Sequence, residues 1–161
     1  MVFDNLSLGH RSAVHPNAEL VVGDLANIES IREAMGRFKP EAIMHFAAKS
    51  PVGESMENPD LYWRINRDGT RSLLEAMAAS EVSQLVFSST CAVYGIPERV
   101  PIPEDCPLAP VNVYGETKMA MEDEIRGTEG LRSVIFRYFN AAGASEDGVL
   151  GERHDPETHL I

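Results

Sequence analysis

Gln84-Leu85-Val86-Phe87-Ser88-Ser89-Thr90 is the stretch that decides how this chain folds. Its apolar middle reads as a short buried strand over Gln84–Ser88, and the three hydroxyl residues read as its polar carboxyl end. The same signature recurs on both sides. Val2-Phe3 ends at Asp4-Asn5, and Leu20-Val21-Val22 at Gly23-Asp24. Ala42 to Phe46 ends at Ala47-Ala48, and Ser133 to Arg137 at Tyr138-Phe139-Asn140. Helical spacing fills the intervals. Ile28, Ile31, Met35 and Phe38 share one helix face, and Pro40 stops that helix. Pro59 suits the first turn of a long helix to Ser80, carrying Leu61, Ile65, Leu73 and Met77. Asn112 to Arg126 reads as a third helix. Ala47 to Asn58, with Pro51 and Gly53, is expected to be loop. So are the proline-rich Ile96 to Pro110 and everything after Phe139.

Strands separated by helices imply parallel pairing with right-handed crossovers. The expected fold is therefore α/β, a doubly wound parallel sheet of Rossmann-like type. Ligands on such sheets lie beyond the carboxyl ends of the strands, where the polar residues above converge.

The chain has 161 residues, the size of one domain, and 43% of them are hydrophobic, enough for a core. Formal net charge is −11, from 25 acids against 14 bases, which disfavours a nucleic-acid or anionic-membrane partner. Cys91 and Cys106 form no C-x-x-C pair, so no disulfide framework or cysteine-based metal site is expected, and a reducing compartment fits. No apolar run approaches a membrane span and Met1-Val2-Phe3-Asp4 is no signal-peptide start, so a cytoplasmic location is expected. His45 lies in an apolar strand and reads as core. His154 and His159 are five apart and match no helical metal spacing, so no metal is expected. The acids Glu122-Asp123-Glu124 read as a solvated helix face.

Tyr114 and Lys118 are four apart, neighbours on one helix face. A free phenol has a pKa near about 10, and an adjacent ammonium favours its ionised form. Bringing it to about 7 would take roughly 4 kcal/mol, more than one lysine readily supplies; a cofactor cation could add the rest. With a strand-end hydroxyl from Ser88-Ser89-Thr90, such a pair could take a proton from an alcohol while a nicotinamide takes the hydride. The plainer readings are a packing pair on a solvated helix and a strand-terminating turn. Asp4 could bind an adenosine ribose or be a turn residue. Asp24 could lie near an adenine, and Phe46-Ala47-Ala48 near a diphosphate or ribose. Asn66 is a poor helix former that could face the ligand cleft. The 12 glycines include no G-x-G-x-x-G.

Taken together, these stretches resemble the extended short-chain dehydrogenases/reductases, and within them the UDP-glucose 4-epimerases, over essentially the whole chain. Val52-Gly53-Glu54-Ser55, Gly69-Thr70, Val93-Tyr94-Gly95 and Tyr114 to Lys118 contribute. The specific matches are Arg137-Tyr138-Phe139-Asn140 and the closing Gly151 to Ile161. Thr90 is followed by Cys91-Ala92, where a sugar-nucleotide 4,6-dehydratase would carry an Asp-Glu pair.

The resemblance implies NAD as cofactor, a UDP-hexose as substrate, and reversible oxidation at C4. It implies Tyr114 as base, Lys118 on the nicotinamide ribose, and Thr90 on the substrate oxygen, with Lys118 lowering the phenol's pKa. It places Asp4 and Asn5 on the adenosine ribose and Asp24 and Leu25 on the adenine. Phe46, Ala47, Ala48, Asn66, Ser88 and Tyr138 would also lie along the cofactor, and Asn140 on the substrate phosphate. Residues 1–161 would be a partial NAD-binding domain, without the family's first glycine-rich strand and with most of the substrate domain absent, so impaired in isolation. A homodimer is the assembly considered. Two other readings stand beside this one: a non-catalytic remnant or interaction module, and another extended-reductase epimerase or decarboxylase.

Overall fold

Five parallel strands and five α-helices alternate along the chain in the computed structural model, which describes residues 1–151 and 153. The closing motif of residues 154–161, with His154 and His159, lies outside the described residues. Strand β1 (Val2–Asp4) pairs with β2 (Leu20–Val22). Strands β3 (Ile43–His45), β4 (Gln84–Thr90) and β5 (Arg132–Tyr138) form a second ladder in that order. Among the described residues the two ladders share no strand, so the expected sheet is present in two pieces.

β4 runs two residues beyond the predicted Ser88. Ser89 and Thr90 stay in the ladder because Arg137 and Tyr138 of β5 pair with them. Here the partner strand, not hydroxyl content, sets the end.

Helix α1 (Ile28–Phe38) begins where Asn27 accepts a hydrogen bond from the Ser30 amide, and ends at left-handed Lys39 before Pro40. Helix α2 (Val52–Glu57) is a correction to the expected loop. Pro51 sits at its N-cap, where a proline costs no helical bond. Ser55 then anchors it, donating to the Val52 carbonyl (2.7 Å) and accepting from the Tyr114 amide (3.1 Å). The predicted long helix is α3 (Pro59–Tyr62), a π-helical segment Trp63–Asp68 and α4 (Gly69–Ala79) in continuous sequence. Helix α5 (Val113–Gly127) is capped by Asn112, which accepts from the Gly115 amide at 2.8 Å.

α1, α4 and α5 cover one face of the β3-β4-β5 ladder. Ile31, Met35, Leu73, Met77, Met121 and Ile125 pack there with Leu85 and Phe87 of β4. Each such fully buried side chain contributes about 1.5–3 kcal/mol of transfer free energy. On the opposite face Met44, Val134, Phe136 and Tyr138 are 65%, 51%, 47% and 44% exposed.

Asn66, in the π-helical segment, clamps the strand-end loop to α5. Its Oδ1 accepts from the Lys49 amide (2.7 Å), and its Nδ2 donates to the Lys49 carbonyl and Thr117 Oγ1, both at 3.0 Å. Replacing Asn66 by Ala strands the Lys49 backbone pair. Urea denaturation at pH 7 should show a loss of about 1–3 kcal/mol.

His45 is core, as expected. It is 3% exposed, its Nε2 lies 3.0 Å from Thr70 Oγ1, and Thr70 Oγ1 donates to the Asn66 carbonyl. His45 therefore donates to Thr70. Burial first, and the Lys118 charge second, push its pKa from 6.5 down to about 3. Below pH 6.5 the unfolded chain takes up a proton that the folded chain refuses. Stability should thus fall by about 2 kcal/mol between pH 7 and pH 5, and His45→Leu should flatten that slope in urea titrations.

Candidate active site

The site is built where α5 meets the carboxyl end of β4. Gly115 permits the meeting: a Cβ there would lie 2.8 Å from the Ala92 carbonyl oxygen. Gly95, at φ 66°, permits the next turn, since a Cβ there would lie 1.9 Å from the Ala109 oxygen. Thr90 caps the turn Cys91–Tyr94, its Oγ1 accepting from the Ala92 amide at 3.2 Å. Thr90 also lies beside Tyr114, where it acts to lower the pKa of the phenol. Thr117 Oγ1 donates to the Tyr114 carbonyl at 2.8 Å.

One turn further along α5, Lys118 is 3% exposed. Its Nζ donates to the Ser88 carbonyl at 2.7 Å and lies 4.7 Å from the centre of the Phe87 ring. Tyr114, Lys118, Thr90 and Ser88 are thus brought together.

The electrostatics differ from expectation. Burial raises the Tyr114 phenol above its ordinary 10, against the lowering hydrogen bond from Thr90. Lys118 does not bring it down; its ammonium is turned to the Ser88 carbonyl and the Phe87 ring. Lys118 itself is pushed down to about 8 by burial, with the Glu122 charge acting upwards.

Glu122 is the main residue that sequence reasoning missed. It is fully buried, not on a solvated face. Its Oε1 accepts from Ser89 Oγ (2.5 Å) and Arg137 Nε (3.0 Å), its Oε2 accepts from Arg137 Nη2 (2.7 Å), and Arg126 Nη2 forms an ion pair with Oε2 at 2.9 Å. Burial acts to raise its carboxyl, but Arg137, Ser89 and Arg126 outweigh it and hold the group below its ordinary value. The signal was present: 114, 118 and 122 are each four apart, so they share one face. A second missed cluster joins Lys49 and Tyr62 to Glu54. Lys49 Nζ donates to Glu54 Oε1 (2.9 Å), and the Tyr62 hydroxyl to Glu54 Oε2 (2.8 Å).

The expected cofactor residues lie on the same carboxyl edge. Asn5 Nδ2 donates to Asp24 Oδ2 at 2.8 Å, tying the ends of β1 and β2 together. The Ala26 amide first, and Asn5 second, hold the Asp24 carboxyl below its usual range. Asp4 Oδ1 accepts from the Leu6 amide at 2.6 Å and borders Gly9. Leu25 sits over Gly69, whose added Cβ would be 3.1 Å from the leucine Cβ. Phe46, Ala47, Tyr138 and Asn140 are exposed, and Ala48 and Ser88 half-buried. Asn66 is fully buried with both amide hydrogens and its oxygen engaged, so a ligand would have to displace one of those bonds. Asp4 thus stands at the end of β1, Asn5 and Asp24 just beyond β1 and β2, and Ser88 and Tyr138 in the last residues of β4 and β5. Among the described residues no group of three or more His, Cys, Asp and Glu could hold a metal ion.

Comparison with known proteins gives the same family. The chain is 48% identical to the UDP-glucose 4-epimerase of Lactobacillus helveticus over 164 residues, covering 100% of this chain and 50% of that protein. It superposes on the Brucella ovis UDP-glucose 4-epimerase in complex with NAD with a TM-score of 0.94 and 48% identity, covering 98% of this chain and 49% of that one. The Bifidobacterium longum UDP-glucose 4-epimerase in complex with NAD+ and UDP gives a TM-score of 0.88 and 31% identity, covering 93% and 48%. The chain spans about half the length of the curated relatives it matches. The profile of the NAD dependent epimerase/dehydratase family matches residues 1–160, and this chain belongs to that family.

Proposed function

We propose that this chain carries the acid–base centre and part of the NAD site of a UDP-glucose 4-epimerase, interconverting UDP-glucose and UDP-galactose. The observation that carries the reading is the convergence of Tyr114, Thr90 and Lys118 on the end of β4. NAD, when bound, supplies the hydride acceptor for C4 of the hexose. Tyr114 takes the proton from the 4-hydroxyl oxygen and returns it. Thr90 donates to the same oxygen and orients it. Lys118, held by the Ser88 carbonyl, would offer its remaining N–H donors to the nicotinamide ribose, and through it favour the developing phenolate. Asp4 and Asn5 would hold the adenosine ribose, with Asp24 and Leu25 on the adenine. Phe46, Ala47, Ala48, Ser88, Tyr138 and Asn66 would line the cofactor, and Asn140 would meet the substrate phosphate. Relatives solved in complex with NAD, and with NAD+ and UDP, support the choice of cofactor and of a UDP-linked substrate. A cytoplasmic homodimer completes the reading; the free thiols of Cys91 and Cys106 suit a reducing compartment.

The test is turnover of UDP-galactose by the full-length protein containing these residues, beside its Tyr114→Phe variant. The variant should lose about a hundredfold to ten-thousandfold in kcat. Its NAD affinity, read by calorimetry, should be nearly unchanged. A wild-type protein that ignores UDP-galactose but decarboxylates a UDP-uronate would replace this reading with the decarboxylase one. Absence of NAD binding would leave the non-catalytic module.

Lys118→Met gives a second readout. Because burial depresses the lysine's pKa to about 8, the folded chain refuses a proton that the unfolded chain holds between about pH 8 and about 10.4. The wild-type chain should therefore gain stability as pH rises through that window, and the methionine variant should not. Urea midpoints at pH 7, 8.5 and 10 check this.

A further inference from the structure

Glu122 stands one helical turn from Lys118 on α5, fully buried. Its carboxylate is gripped by a two-pronged contact from Arg137, by Arg126, and by Ser89. Ser89 lies between Ser88, whose carbonyl accepts from Lys118, and Thr90, which acts to lower the Tyr114 pKa. Arg137 reaches on to the Tyr94 hydroxyl (2.9 Å) and stacks over that ring at 4.8 Å. One carboxylate therefore ties α5 to β4, β5 and the turn that follows Thr90.

We propose that Glu122 is a positioning residue of the Tyr114–Lys118 pair, registering α5 on the end of β4 and keeping the buried Lys118 in its ammonium form. The inference rests on the acid–base reading of that pair.

Lys118 is packed where α5 meets β3 and β4. From α5 come Tyr114 and Glu122, with Arg126 beyond. From β3 comes His45, which is neutral at physiological pH. β4 offers the Phe87 ring and the Ser88 carbonyl, and β5 offers Arg137. Glu122 is the one carboxylate among these groups, and two guanidiniums share it. Without it, Lys118 would be buried with no carboxylate acting on its charge. The ammonium would then be disfavoured further below its midpoint of about 8.

The sign of the effect separates this role from a merely structural one. Loosened packing would hydrate Lys118 and move it up towards about 10.4. Loss of the counter-charge would move it down.

The chain has three lysines, Lys39, Lys49 and Lys118, so NMR titration with lysine labelled at Cε and Nζ gives three resolvable curves. Lys39→Arg and Lys49→Arg variants assign them. Glu122→Gln should lower the Lys118 midpoint by about one pH unit, leaving the other two unmoved. An unchanged or raised midpoint in a folded Glu122→Gln protein overturns the proposal. Should that variant fail to fold, Arg126→Ala decides, since Arg126 is half exposed. Removing this competitor for Glu122 should raise the midpoint, because the carboxylate then acts on Lys118 alone with Arg137. No rise overturns the proposal. Turnover is not read, so a failure of the epimerase reading and a failure of this inference appear in separate measurements.

Discussion

The approach of α5 to the end of β4 is the constraint on which the rest of the site depends. Helix and turn meet so closely that a methyl group at Gly115 would collide with the Ala92 carbonyl. That contact carries the phenol to Thr90 and the ammonium to the Ser88 carbonyl. It also explains why the helix starts where it does. Asn112 caps it, Ser55 receives the Tyr114 amide, and Thr117 closes on the Tyr114 carbonyl. Each bond fixes the first turn of α5 more than it fixes the phenol itself. A catalytic side chain at a helix start is held by satisfying the orphan amides around it.

Charge is handled less comfortably than shape. A lysine, a glutamate and an arginine are packed against the underside of one strand end. Isolated buried charges are expensive, and an ion pair offsets desolvation only with good geometry and full hydrogen bonding. Glu122 meets that standard, since hydrogen-bond donors occupy both of its oxygens. Lys118 does not meet it as fully, and its depressed pKa records the difference. The group that the proposed chemistry needs is thus the one the fold holds least willingly.

Much of this was legible in the sequence. Period-two and period-3.6 patterns located all five strands and the helices α1 and α5, because each buries one continuous apolar face. The strand-end rule pointed to the hydroxyls Ser88 to Thr90, the four-residue spacing to Tyr114 and Lys118, and the family resemblance to Thr90 among the hydroxyls. Helix α2 was hidden because Pro51 and Gly53 read as breakers, whereas its stability comes from Ser55 touching a helix 59 residues away in sequence. Glu122 was hidden because a run of three acids looks solvated; only its helical phase distinguishes it from Asp123 and Glu124. The direction of the Tyr114 shift was hidden because residue identity alone does not reveal how deeply the phenol is buried. Asn66 was correctly marked as odd in a helix, but its oddity serves the Lys49 loop.

The division of the strands into two ladders has a mechanical consequence. Asp4, Asn5 and Asp24 ride on one ladder, and Ser88, Thr90 and Tyr138 on the other. Apolar packing through Phe3, Leu25 and Ile28 against the common core joins the halves, beside an exposed Arg32–Glu75 ion pair, with no strand-to-strand bonds among the described residues. Packing of that kind resists separation well but shear poorly, because it has no directional bonds to break. A dinucleotide spanning both strand ends would act as a strut, converting a slip between the halves into stretched ligand contacts. Its binding free energy would then be felt as rigidity, and at a hundred times its dissociation constant would add about 2.7 kcal/mol to folding.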